Sequence, residues 1–214
     1  MTAYLTVPRA AEAELVIKKS RFIGRIAPVS SPEDAAAFVA SIKTKHWDAS
    51  HNVWAYCLRG GENCPGRNTG QMRYSDDGEP QGTAGLPVLG VLTGQALVDC
   101  VVVVTRYFGV TLLGTGGLVR AYGQSASAAV EAAGAVTMAP CRVLRVRCEY
   151  AFYDSLCRLM EACGAVVLDT QFAENIEVTL RLRSESTENF SASLAEKSNG
   201  RVCPALLREE FAAA

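Results

Sequence analysis

The chain reads as an α/β (α+β) protein in two domains, residues 1–137 and 138–214. Three features carry that reading. Val98 to Val104 is dominated by valine, the composition of a strand buried on both faces. Gly-rich turns on either side of it open two helices. Beyond residue 138, strand and helix signals follow the order β-α-β-β-α-β, a ferredoxin-like arrangement.

In the first domain, residues 12–29 alternate and then turn apolar, as a long or broken strand. Lys18, Lys19, Arg21 and Arg25 form a basic cluster on it, which a solvated strand face explains. Ser30-Ser31-Pro32-Glu33-Asp34 starts a helix: serine cap, proline at the first position, acids in the first turn. Ala36, Phe38, Val39 and Ile42 supply its buried face, and it ends near His46. His51 to Leu58 is a strand by its aromatic and β-branched content. Residues 59–70, RGGENCPGRNTG, have the composition of a surface loop. A short strand resumes at Gln71 to Tyr74.

Residues 74–123 organise this domain. Ser75-Asp76-Asp77-Gly78-Glu79-Pro80 has the make-up of an exposed turn. Thr83 is positioned to cap a helix that begins near Pro87. The valine strand ends in Thr105-Arg106-Tyr107-Phe108-Gly109. Leu113-Gly114-Thr115-Gly116-Gly117 then opens a helix to about Ala133. Helix starts after Gly turns present free backbone N–H groups and suit an anion; the same turns can instead hold the chain's own acidic loop.

In the second domain the elements fall at 141–150 (strand), 152–163 (helix), 165–172 and 175–183 (strands), 186–198 (helix) and 201–210 (strand). Gly164 and Gly200 sit where helices close. Alternation turns Leu144, Val146, Val178, Leu180 and Leu182 toward the helices. It leaves Arg145, Arg147, Arg181 and Arg183 on the open face of the sheet. No aromatic residue alternates among these arginines, so a base-stacking platform is absent there.

The net charge of −1 gives no general attraction to nucleic acid or membrane. Residues 1–137 hold 12 Lys and Arg against 11 Asp and Glu; residues 138–214 hold 9 against 11. Any such binding must come from a local patch. Eight cysteines occur without a C-x-x-C pair, which argues against a structural zinc site; without an export signal, disulfides are not expected. No apolar run reaches the length of a membrane span, so a soluble, cytoplasmic protein is expected.

The motifs SDDGEP, GTAG-P, VVVVTRYFG and LGTGGLVRAY, with KKSRFIG and HNVWAY upstream, resemble the bacterial YigZ/IMPACT family. Val110 departs from the pattern, standing where a second glycine after RYFG is expected. The resemblance implies an IMPACT-type N-terminal domain, with a fold shared by ribosomal proteins and several small-molecule kinases. It also implies a ferredoxin-like C-terminal domain, a cytosolic setting and a link to translation, with no established reaction.

Two functions compete. One is a non-catalytic binding protein linked to translation regulation, with RNA, the ribosome or a translation factor as partner and Arg145, Arg147, Arg181 and Arg183 as the nucleic-acid surface. The other is an enzyme or binding protein for a small phosphorylated or carboxylated ligand. Its cleft would be lined by His51, Asp76, Asp77, Glu79, Thr83, Arg106, Gly116, Gly117 and Arg120, beyond the end of the buried strand, where open α/β sheets bind ligands. Under that second reading the acidic turn could hold Mg²⁺ with a substrate phosphate. No nucleophile–base pair can be named, so the reading leans away from an enzyme and assigns no cofactor and no resident metal.

Overall fold

The computed structural model describes residues 2–60 and 70–213. It divides into two compact units, Tyr4–Thr137 and Met138–Ala214, the latter taking Met1–Ala3 with it. Loop residues 61–69, Cys64 among them, lie outside the described residues.

The first unit is built on a sheet of five strands in the order β2-β3-β6-β4-β5. These are β2 (Ala11–Ile17), β3 (Ser20–Pro28), β4 (His51–Leu58), β5 (Gln71–Ser75) and β6 (Cys100–Tyr107). Every neighbouring pair is antiparallel. β2 and β3 form one hairpin, β4 and β5 a second, and β6 joins the two. A short strand, β1 (Tyr4–Thr6), bridges to Leu97 through Leu5.

The broken strand of residues 12–29 is thus a hairpin. Lys18 and Lys19 form its two-residue turn, both at positive φ (46° and 66°). This is the backbone that a twisted hairpin demands and that glycine or asparagine adopts most cheaply.

Helices cover both faces of the sheet. α1 (Pro32–Lys45) starts as expected, with Ser31 accepting a hydrogen bond from the Asp34 amide, and packs over Ala27, Tyr56, Val101 and Val103. Ala36, expected on its buried face, is exposed. α2 (Gly85–Gly94) and α3 (Thr115–Ala133) cover the other face, over Phe22, Ile26, Val53, Val102 and Val104. This sandwich explains why β6 is a run of valines although its neighbours are antiparallel: helices desolvate both faces. α3 lies so close to β3 that a Cβ on Gly24 would stand 2.3 Å from the Ser125 carbonyl oxygen.

The second unit is a sheet ordered β10-β7-β9-β8: β7 (Val136–Cys148), β8 (Val166–Phe172), β9 (Ile176–Arg183) and β10 (Ala205–Ala213). α4 (Tyr150–Ala162) and α5 (Thr187–Lys197) pack on one face, through Leu156, Leu159, Phe190 and Leu194 against Val146, Val178 and Leu180. With β7 and β9 central, this is the ferredoxin-like order.

Candidate functional site

In the first unit, β4 and β6 set His51 beside Arg106 in register, on the face that carries α3. The acidic turn folds over that end of the sheet. Contrary to its composition, it is not simply solvated, because its three carboxylates serve different partners. Asp76 accepts from the amides of Gly82, Ala84 and Gly85, at 2.9, 3.1 and 2.8 Å. Asp77 accepts from the Lys43 ammonium and the Asn52 amide. Glu79 is buried, and its Oε1 accepts from Arg106 Nη1 at 2.5 Å and from the Tyr122 hydroxyl at 2.7 Å.

His51 closes this group. Its Nδ1 donates to the Asp77 carbonyl at 2.9 Å, and its Nε2 lies 3.8 Å from Glu79. Burial and the hydrogen bond to Glu79 push the Tyr122 phenol far above its ordinary pKa, so it stays a neutral donor. The Glu79 and Arg106 side chains are 4% and 5% exposed, so their pairing is screened little by solvent. Arg106 also lies over the Phe22 ring, and its Nε has no partner among the described residues.

Two expectations are corrected here. The first is the helix cap. Thr83 does not cap α2, since its hydroxyl donates to the Pro80 carbonyl while Asp76 satisfies the helix start. The anion-binding end of α2 is therefore filled by the chain's own carboxylate. The second is the cleft argument from strand ends, which belongs to parallel sheets and does not carry over to this antiparallel one. The three carboxylates serve different partners, and no group of three His, Cys, Asp or Glu that could hold a metal occurs among the described residues.

Gly116 and Gly117 lie in the first turn of α3, behind Gly114 at φ 72°, with no side-chain cap. Arg120 is exposed and forms no ion pair with the acidic turn among the described residues. It is two residues from Tyr122, and at about 100° per residue it points to nearly the opposite side of the helix.

In the second unit, Arg145, Arg147, Arg181 and Arg183 share the sheet face turned away from α4 and α5. Arg145 stands 3.7 Å from Glu177, Arg181 3.5 Å from Glu210, and Arg183 3.8 Å from Glu185. Arg147 has no ion-pair partner among the described residues. Val143, on the same face, is fully buried, while Arg145, Arg147 and Arg183 are exposed and Arg181 is half-buried.

Residues 18–130 match the family described as Impact N-terminal domain, and residues 146–201 match a domain of unknown function, DUF1949. The chain belongs to the IMPACT family. Among similar curated proteins, the IMPACT family member YvyE of Bacillus subtilis is 37% identical over 93% of this chain and 88% of its own. An IMPACT family member of Haemophilus influenzae is 39% identical over 97% and 98%. The IMPACT family member YigZ of Escherichia coli is 36% identical over 87% and 89%. A solved structure titled "Crystal structure of an hypothetical protein" superposes with a TM-score of 0.60 at 32% identity, covering 97% of this chain and 98% of that one.

The IMPACT-type domain also holds polar residues that sequence reasoning did not place in the candidate site. Tyr122 is the chief of them. Its signal was present in the spacing Leu118, Ala121, Tyr122, Ser125, Ala126, Ala129, the buried stripe of α3. On the α1 face, Arg25, expected with Lys18, Lys19 and Arg21 on a solvated strand face, is buried instead: it pairs with Glu12 and donates to Thr105, which donates to Asn52. No helix among the described residues is long and apolar enough to cross a membrane.

Proposed function

We propose that this IMPACT-family protein is a non-catalytic binding protein of the translation apparatus. It works in the cytoplasm through contacts to RNA, the ribosome or a translation factor. The observation that supports this reading best is the arginine face of the C-terminal sheet, turned away from α4 and α5, where Arg145 and Arg147 are exposed and Arg147 has no ion-pair partner among the described residues. Its ion pairs are largely exposed at 3.5 to 3.8 Å, and such pairs hold little energy. A phosphate can replace their carboxylates at small cost. A non-catalytic role is further supported by the acidic turn, whose carboxylates are engaged by the chain itself.

The test is RNA binding as a function of salt for the parent and for a variant with Arg145, Arg147, Arg181 and Arg183 all changed to Gln. Each phosphate that is no longer neutralised lowers the slope of log affinity against log salt by about 0.7 for a single strand. An unchanged slope and affinity would exclude this face.

A second reading, a small anionic ligand in the N-terminal domain, rests on the uncapped start of α3 at Gly116 and Gly117 and the unpartnered Arg106 Nε. His51, beside Arg106, and Arg120, further along α3, are its remaining candidates. Titration with inorganic phosphate, followed at the Gly116 and Gly117 amides by NMR, tests it. Shifts confined to those amides support the site, and their absence removes it.

A further inference from the structure

We propose that the groove between α1 and the β4–β5 edge of the sheet binds single-stranded nucleic acid, with a base laid on Trp54 and the neighbouring phosphates held by Arg73 and Lys43. This goes beyond the arginine face: it lies in the other domain and does not depend on it.

The groove exists because α1 covers only part of its face. The core beneath the helix draws on β3, β4 and β6 and on no residue of β5. Ala36 and Ala40, one turn apart on α1, are too short to fill the gap. What remains is an open cavity of about 900 Å³, with these alanines as one wall and Trp54, Tyr56, Gln71 and Arg73 on the sheet side.

Its chemistry is mixed in a specific way. Trp54 and Tyr56 alternate on β4, and their rings lie 7° from parallel with centroids 5.9 Å apart. Tyr56 is buried and Trp54 half-buried, so Trp54 offers the accessible ring. Arg73 stands directly across from Tyr56 on β5, exposed and without an ion pair among the described residues. Lys43 is on the α1 side, with a side chain 43% exposed and its ammonium shared with Asp77. Glu33 is the acid of the lining.

An aromatic floor with cations at its margins fits a chain of bases and phosphates, since every base has a face to stack and every linkage a charge. An acidic peptide would use the cations and leave the indole idle; an apolar peptide would do the reverse. An open groove, rather than a closed pocket, lets a strand pass through.

The protein contains two tryptophans, and Trp47 is 84% exposed. Trp47→Phe therefore leaves Trp54 as the single indole reporter in the full-length chain. The experiment titrates this variant with an unstructured RNA of about ten nucleotides, with the matched duplex and with uridine monophosphate. The single strand is expected to quench Trp54 emission, and the duplex and the mononucleotide much less. Quenching by the mononucleotide equal to that by the strand would overturn the strand assignment. Absence of quenching by RNA would overturn the groove.

Fluorescence anisotropy of labelled RNA gives the affinities. Trp54→Leu is expected to weaken binding about tenfold. Arg73→Gln, an exposed change that leaves the core untouched, is expected to lower the salt slope by about 0.7. Parent-like binding by both variants refutes the proposal. The variant lacking the four C-terminal arginines retains Trp54 quenching if the groove acts by itself, so failure of one surface is told apart from failure of the other.

Discussion

Glu79 concentrates two strong donors on one buried carboxylate oxygen, and that makes it the most consequential side chain of the N-terminal domain. Glu79→Ala leaves the Arg106 guanidinium buried without its counter-charge, and a loss of about 3–5 kcal/mol is expected in urea unfolding. Tyr122→Phe removes a single bond to a charged group and should cost about 1.5–3 kcal/mol. The double variant should lose less than the sum, since both act on one oxygen. The thiols give a second expectation at this scale. Burial pushes Cys57 up to about 11 and Cys100 up to about 12. Their folded pKa values lie above the unfolded one, so the contribution is fully present below about pH 8.5. It is lost as pH rises toward 11–12. Unfolding at stepped alkaline pH should show that decline, and Cys57→Ala with Cys100→Ala should flatten it. The residue scale is also where the sequence was least legible. The composition of the acidic turn says that it turns, but nothing in Asp76-Asp77-Gly78-Glu79 says which carboxylate folds inward. That depends on Arg106 and Tyr122, 27 and 43 residues away.

Helix and hairpin boundaries were legible wherever local chemistry decides them. Ser31 caps α1 as its S-P-E-D setting implies, and Gly134 closes α3. The start of α2 was misread because its cap comes from Asp76, nine residues before Gly85 and beyond any local motif. The two caps can be separated by mutation. Asp76→Ala should cost about 1–2 kcal/mol. Thr83→Ala loses one neutral hydrogen bond and should cost about 1 kcal/mol or less. Equal costs would contradict the capping role. In the β2–β3 turn, each lysine in the left-handed region costs about 1–2 kcal/mol. Lys18→Asn with Lys19→Gly should therefore raise the midpoint of urea unfolding. A lowered midpoint would show that the lysines make stabilising contacts that outweigh their backbone strain.

On the scale of the whole chain, periodicity was a good guide to the C-terminal domain, because its central strands β7 and β9 alternate between a helix-packed face and an open one. It was a poorer guide to the first domain, where β6 is desolvated on both sides and its pattern cannot tell an antiparallel strand from a parallel one. The second unit has its own core of Val146, Val178, Leu156 and Phe190. Residues 136–214 expressed alone should give a cooperative urea transition and a mixed helix–strand circular dichroism spectrum. A featureless chain would mean that this core is insufficient. The place of β6 between the two hairpins matters also while the protein is being made. β3 and β4 both pair with a strand that leaves the ribosome after them. At about 5–20 residues per second, roughly 2–10 s separate the end of β4 from the end of β6. Over that interval two half-sheets wait with their inner edges open. A nascent chain in that state is a natural client for chaperones that act at the ribosome, and the domain can close only when the valines of β6 arrive.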